Sequence, residues 1–458
     1  MRSILRDVTA ASTLAEHLAV DALSRHLPLA QVEQAVAQSH CRERRRRKLP
    51  AAVMVYLCIA LALFAQESIP AVYRQLVAGL RWSWPTALAV TPGALCQARY
   101  RLGPQPLVRL FRTVCQPLAT PQTPGAYYHG LHLVALDGSK LDVPDSPAND
   151  RAFGRPGVSK GRAPFPQVLV VGLVECATHA LLDAGVWPVR ANEHACAQRL
   201  LRALTATSLL LYDAGLHSVA LVAKARQREA HVLGRLPGHV QPQLQRLLPD
   251  GSALVTLQPS QRASLPPPSP LRLIRYTLAD PPRPGHGQEH RLLTSLLDPD
   301  QYPARELIQL YHQRWEFELS LDELLVHQRP HVPLRSQQPL GVLQELYALF
   351  LAHYLLRALL VAAAATIDRP PTRLSFLETL RLVRLALPDF QRLDPSQHAQ
   401  RYQHLLADIA HHVLPPRRER LNPRVVKRAQ SKFRVKRPHH RPSPKPTKSF
   451  AEAVVLLN

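Results

Sequence analysis

Apolar side chains recur every three or four positions over 14–27, 29–37, 51–64 and 107–114, the spacing that lines one face of an α-helix. Residues 1–125 are therefore predicted to form an all-α front end. Near residue 127 the period shortens. Apolar runs over 131–136 and 167–175 and the segment 180–189, bounded by turn residues, predict a strand and a hairpin around 176–179, and 140–143 can resume extended structure. Asn192 is placed to cap a helix over 193–204, the run Ser208-Leu209-Leu210-Leu211-Tyr212 reads as a buried strand, and a helix follows over 217–228. The order β-β-β-α-β-α then gives way to alternating segments over about 230–300, predicted as a β-rich insertion. A helix is expected over 306–328, and further helices to about 412.

Two long apolar stretches bear on location. The run 51–64 has 14 residues, short for a bilayer span, and 346–364 carries His353 and Arg357, which makes it a core helix by preference. Residues 1–18 carry charges where a signal peptide needs an apolar stretch. The chain reads as soluble, with no membrane partner. Six cysteines without a C-x-x-C pair argue against a zinc ribbon, a dithiol site and a secreted disulfide framework, and favour a reducing compartment.

Charge changes the picture more. Against 33 acidic residues stand 57 Lys and Arg, a net +24, while 46% hydrophobic residues suffice for a core, so a globular protein with an anionic partner is expected. The excess is concentrated. The tail over 417–448 holds 13 Lys and Arg against the single acid Glu419, interleaved with prolines, and reads as extended, either a nucleic-acid contact or a solubiliser. Arg42, Arg44, Arg45, Arg46, Arg47 and Lys48 precede an apolar helix and can sit on phosphates or simply be solvated. Thr91 and Pro92 open a helix bearing Arg99 and Arg101, which can enter a major groove or pack its Leu95 side. A glycine-rich loop over 151–162, with Arg151, Arg155, Lys160 and Arg162, suits close approach to phosphates without matching a Walker A pattern.

Candidate chemistry rests on carboxylates. Asp137 and Asp213 each follow an apolar strand and precede a Gly-containing turn, the strand-end setting where α/β folds assemble sites, although either can serve simply as a turn former. Tyr311, Arg314 and Glu318 stand at i, i+3 and i+7, one face of a helix, where an ordinary Arg–Glu pair is the competing reading. A hard cation such as Mg²⁺ takes oxygen ligands of this kind.

Taken together, Leu136-Asp137-Gly138-Ser139, the segment 141–149, Asp213-Ala214-Gly215, Tyr311-x2-Arg314-x3-Glu318 and the ARYRLG stretch at 98–103 resemble insertion-sequence transposases of the IS4 type. The resemblance covers nearly the whole chain. It implies an α/β fold: an RNase H-like catalytic core over 126–330 with the β-rich insertion, an all-α N-terminal DNA-binding domain over 1–125, C-terminal helices over 331–415 and a basic Pro-rich tail over 416–458. Carried over by position, Asp137, Asp213 and Glu318 become the catalytic, metal-binding triad of a DDE enzyme holding two Mg²⁺ ions, with Mn²⁺ able to substitute. Tyr311 and Arg314 become DNA contacts beside Lys160, Arg162, Arg99, Arg101, Arg45 and Arg46. The partner implied is double-stranded DNA, both element ends and target, bound by a dimer in the bacterial cytoplasm at the nucleoid. One position departs: the pattern expects Lys seven residues after the Glu, and Leu325 stands there, so its role falls to His327 or Arg329 or activity is reduced. A silent DNA-binding descendant and a stand-alone nuclease are the alternative readings.

Overall fold

The computed structural model describes residues 26–42, 48–77, 90–157, 163–257, 269–283, 286–329, 332–415 and 446–457. They fold as two compact units interleaved along the chain, 1–203 with 316–414 and 204–315 with 415–458.

The first unit begins with helices α1 (Leu29–Gln38), α2 (Ala51–Leu63), α3 (Ile69–Leu76), α4 (Pro92–Leu102) and α5 (Gln105–Val114). Every residue of α2 is apolar and all but Ala52 are buried, the pattern of a helix enclosed on all sides. Thr91 caps α4 as expected, accepting from the Ala94 N–H at 3.2 Å. Strand β1 (Tyr127–Tyr128) pairs with β2 (Leu131–Asp142), which absorbs both expected extended segments into one strand. After α6 (Pro147–Phe153), β3 (Gln167–Glu175) and β4 (Leu181–Pro188) form the expected hairpin, so β4-β3-β2 is an antiparallel meander. Helix α7 (Glu193–Leu200) follows, capped by Asn192.

The second unit opens with β5 (Ser208–Tyr212), α8 (Val219–Gln227) and β6 (His231–Arg235), and β5 and β6 pair in parallel. β6 thus completes a βαβ unit, and the β-rich insertion begins after Arg235 rather than at 230. It comprises β7 (Gln243–Leu247), β8 (Ala253–Thr256), β9 (Leu271–Leu278) and β10 (His290–Thr294), and β10 pairs with β6, extending one mixed sheet in the order β5-β6-β10-β9-β8-β7.

The helix expected over 306–328 is broken. α9 (Ala304–His312) stops where the N–H groups of Gln313 and Arg314 bond the carbonyls three residues back, a tightening that no Gly or Pro announces. α10 (Trp315–Asp322) follows and runs into a π-helical turn, Glu323–His327, closed by the Gln328 N–H on the Glu323 carbonyl at 2.8 Å. From Glu316 onward the chain belongs again to the first unit, whose central helix is α11 (Pro339–Thr366), followed by α12 (Phe376–Arg392) and α13 (His398–Ala410). α11 is long and apolar enough to cross a membrane, but 83% of its most apolar stretch is buried inside the protein, as a core helix requires. Beyond the segment 417–448, expected to be extended and for the most part outside the described residues, α14 (Phe450–Ala453) carries a Ser449/Glu452 capping box, and β11 (Val454–Leu456) pairs with β9. Phe450 stacks on His312 at 4.4 Å, and Asp280 accepts from the Thr447 hydroxyl at 2.7 Å.

Candidate active site

In the first unit Asp137 lies on β2 directly opposite Gly172 of β3. Opposed residues of an antiparallel pair project to the same face. A Cβ at Gly172 would meet the Phe317 ring at 3.6 Å, so Phe317, itself buried, packs against the face that carries Asp137. Glu318 is the next residue. The sheet strand of one expected ligand and the helix of another therefore meet on one face. The Asp137 carboxylate accepts from the Gly138 N–H at 2.8 Å. On the opposite face Glu193 of α7 lies over Gly138, where a Cβ would come within 2.0 Å of its Oε1 and the glutamate side chain would have to move aside.

α10 is held by a buried ionic network. His179, in the β3–β4 turn, places Nε2 2.7 Å from Glu316 and Nδ1 3.0 Å from Glu323. The Glu323 carboxylate also takes the Arg357 guanidinium, with Nε at 2.9 Å, and lies 3.3 Å from His353 Nε2. Burial alone would raise the Glu323 carboxyl, yet Arg357 and His179 hold it well below the ordinary carboxylate range. Burial pushes the His353 imidazole down, against the pull of Glu323.

In the second unit Asp213 follows β5, and its carboxylate accepts from the Leu216 N–H at 2.9 Å. A Cβ at Gly215 would lie 3.3 Å from that carboxylate. The ring of Tyr212 covers Gly234 of β6, which leaves no room for a side chain there. Tyr311 of α9 donates its hydroxyl to the Tyr212 carbonyl at 3.3 Å. Burial pushes the Tyr311 phenol up to about 12, and the charges of Arg314, Asp213 and Arg235 all act on it. Asp213, Tyr311 and Arg314 are thus one electrostatic cluster, to which the structure adds Arg235 and Tyr276, neither of them marked in the sequence.

The other expected contacts divide. Arg101 is exposed. Arg99 is 7% exposed and spends its guanidinium inside the first unit, on Gln344, Ser336 and Glu345, with the Glu345 pair at 3.3 Å; it is a packing residue, and the expectation that it reaches DNA is corrected. Arg329 is likewise buried and donates to the Val332 carbonyl, so it does not replace the missing lysine, whereas His327 is half-exposed beside Asp322 at 3.7 Å. Arg155 clamps its own loop through Asp145, Asp150 and two carbonyls. Lys160, Arg162, Arg45 and Arg46 lie outside the described residues.

A divalent ion of the Mg²⁺ kind asks for oxygen donors and keeps several waters. Asp137, Asp213 and Glu318 are half-exposed carboxylates of that chemistry, and the donor set fits. Within each unit, among the described residues, no three His, Cys, Asp or Glu side chains stand close enough to hold an ion by themselves.

The chain is similar in sequence to known proteins. The family described as insertion element 4 transposase N-terminal matches residues 17–112, and the transposase DDE domain matches 128–355. The transposase InsG for insertion sequence element IS4 of Escherichia coli (strain K12) is 32% identical over 410 residues, covering 88% of this chain and 90% of the relative. Among solved structures, the cryo-EM piggyBac transposase synaptic complex with hairpin DNA is similar over 88% of this chain and 87% of that one, at 12% identity and a TM-score of 0.39. The match to the transposase DDE domain and the likeness to the IS4 transposase over most of both chains make the class a DDE transposase. The chain belongs to the IS4 family of these enzymes.

Proposed function

We propose that the protein binds the terminal inverted repeats of an insertion sequence, cuts DNA at their ends and joins the freed ends to target DNA, with Asp137, Asp213 and Glu318 as its catalytic triad. The observation that carries this reading is the meeting of the Asp137 strand and the Glu318 helix on one sheet face, through Phe317 on Gly172. In the first step a water oxygen attacks phosphorus at the element end, and the 3′ oxygen leaves and takes a proton. In the second the freed 3′-OH attacks a target phosphodiester and a new 3′-OH departs. Two Mg²⁺ ions at the three carboxylates would stabilise the charge on the attacking and leaving oxygens. Tyr311 and Arg314 contact the terminal phosphates; the phenol is fixed on the Tyr212 carbonyl, where the charges of Arg314 and Asp213 both act on it. The helices of 1–125 read the repeat sequence, residues 126–330 form the catalytic core with its insertion, the helices of 331–415 support it, and the basic tail neutralises DNA phosphates. Joining two ends calls for a dimer on DNA.

The test is cleavage of labelled DNA from either flank of the protein's own gene in Mg²⁺, beside Asp137→Asn, Asp213→Asn and Glu318→Gln. Matched end cuts, lost in EDTA and in all three variants while DNA binding persists, are expected. Cleavage retained by any variant removes that residue from the triad. Binding without any cut in Mg²⁺ or Mn²⁺ makes the chain a silent descendant, with Leu325 the first suspect.

A further inference from the structure

The helix that carries Glu318 is unusually dependent on its surroundings. α10 has eight residues, too few to hold its own shape in water, and it is bounded by the tightened turn at 313–314 and the π-helical turn after Asp322. Neither end is anchored by a regular helical ladder. What fixes it is side-chain contact. Phe317 packs against the sheet at Gly172, and Glu316 and Glu323, two residues before and five after Glu318, both end on the same imidazole.

That imidazole is His179. It is 1% exposed and sits at φ 58, a left-handed conformation uncommon for a residue with a Cβ. Such strain persists where the surroundings over-determine it. Here they do: its backbone N–H bonds the Glu175 carbonyl at 2.9 Å, its Nε2 meets Glu316, and its Nδ1 meets both Glu323 and the Arg357 guanidinium that pairs with Glu323. The turn it occupies ends β3, the strand that pairs with β2 and sets Gly172 opposite Asp137. One side chain therefore ties the Glu318 helix to the hairpin in register with Asp137.

We propose that His179 is a positioning residue for the reaction, a strut that sets the distance and angle of the Glu318 carboxylate relative to Asp137 by holding Glu316 and Glu323 together. The inference rests on the proposed triad. Nothing in it requires His179 to touch DNA or an ion. A displacement of about 1 Å in a catalytic group can cost about 100-fold in rate, while the DNA-binding surfaces are left as they were.

The experiment uses the full chain and labelled element-end DNA, and measures single-turnover cleavage, the Mg²⁺ concentration for half-maximal rate, DNA affinity and melting temperature. His179→Leu is expected to lower cleavage about 100-fold and raise the Mg²⁺ requirement, with DNA affinity within about twofold. His179→Asn, which tolerates the left-handed conformation and keeps one amide to bond a carboxylate, should recover part of the rate. Glu316→Gln, at the 19% exposed rim of the network, perturbs folding least and should show the same rise in Mg²⁺ requirement. Leu380→Ala, a core deletion in α12, is the control matched for lost stability. Wild-type cleavage by both His179→Leu and Glu316→Gln, or an equal loss in Leu380→Ala, overturns the proposal. Glu318→Gln run alongside separates the two levels: if it still cleaves, the triad fails, and if it is dead while the His179 variants are normal, only the strut fails.

Discussion

Replacing Arg357 by Met tests whether the ionic network is a matched set or a collection of tolerated charges. Arg357 is 1% exposed on the core helix α11, with Nε 2.9 Å from Glu323, and its guanidinium lies over the Phe376 ring at 5.6 Å. Removing one partner of a buried pair costs about 3–5 kcal/mol, and here it leaves Glu323 with only the imidazoles of His179 and His353 facing it. At about 2–4 °C per kcal/mol for a large domain, the first unit should melt about 6–20 °C lower. Methionine fills much of the same volume, so little of the loss comes from a cavity. The second substitution decides the mechanism. In Arg357→Met with Glu323→Gln the stranded charge is gone, and more than half of the lost stability should return, a coupling read directly from a double-mutant cycle by thermal and urea unfolding. A fall of less than about 2 °C in the single variant, or no recovery in the double, would refute the reasoning.

Other outcomes follow from particular contacts. His353, facing Glu323, Arg357, His179 and the Phe376 ring, has its proton affinity depressed by burial, so its contribution is complete above its ordinary value of 6.5 and is lost as pH falls below it; melting temperature should decline from there, and His353→Gln should flatten the decline. Glu323 adds a second loss only below its ordinary 4.5, because its carboxyl is held down in the folded state. Deleting 417–445 should leave the fold intact and make the salt dependence of DNA binding shallower, since 12 Lys and Arg go with it; an unchanged slope would make the segment a solubiliser. Deleting 446–458 instead removes β11 from the edge of β9, and aggregation or new protease sensitivity in the second unit is expected. Leu325→Lys, at a half-buried position of the π-helical turn, should preserve or raise cleavage, and a fall in melting temperature with lost cleavage would place the side chain in the core.

Much of the fold was legible because local rules sufficed. Thr91 and Asn192 cap the helices their side chains announce, the hairpin of β3 and β4 falls between its turn residues, and the two long apolar runs are core helices. Where partners are remote, the pattern fell short. Arg99 has the look of a surface residue on a polar helix, and nothing nearby in sequence shows that Glu345 waits for it 246 positions away. The strand at the C-terminus hides behind a basic, Pro-rich segment. His353 and Arg357 did carry a signal: two polar groups four residues apart in an apolar helix must be paired if buried, and that requirement points to a carboxylate without saying which.

The broken helix shows why the site itself was only half legible. Spacing in the sequence would put Tyr311, Arg314 and Glu318 on one face of a continuous helix. The backbone nevertheless tightens at 313–314, and the chain passes there from the second compact unit to the first. Tyr311 is fixed by the Tyr212 carbonyl at the end of β5, beside Asp213, whereas Glu318 is fixed by Phe317 on Gly172 and by the His179 network. A continuous helix would transmit any shift of α9 to the Glu318 carboxylate. With the break, residues expected to grip the DNA end and the residue expected to complete the triad are set by separate packings, so a substitution at His179 should raise the Mg²⁺ requirement while end binding persists, whereas one that loosens Tyr311, which sits beside Asp213, should weaken end binding as well.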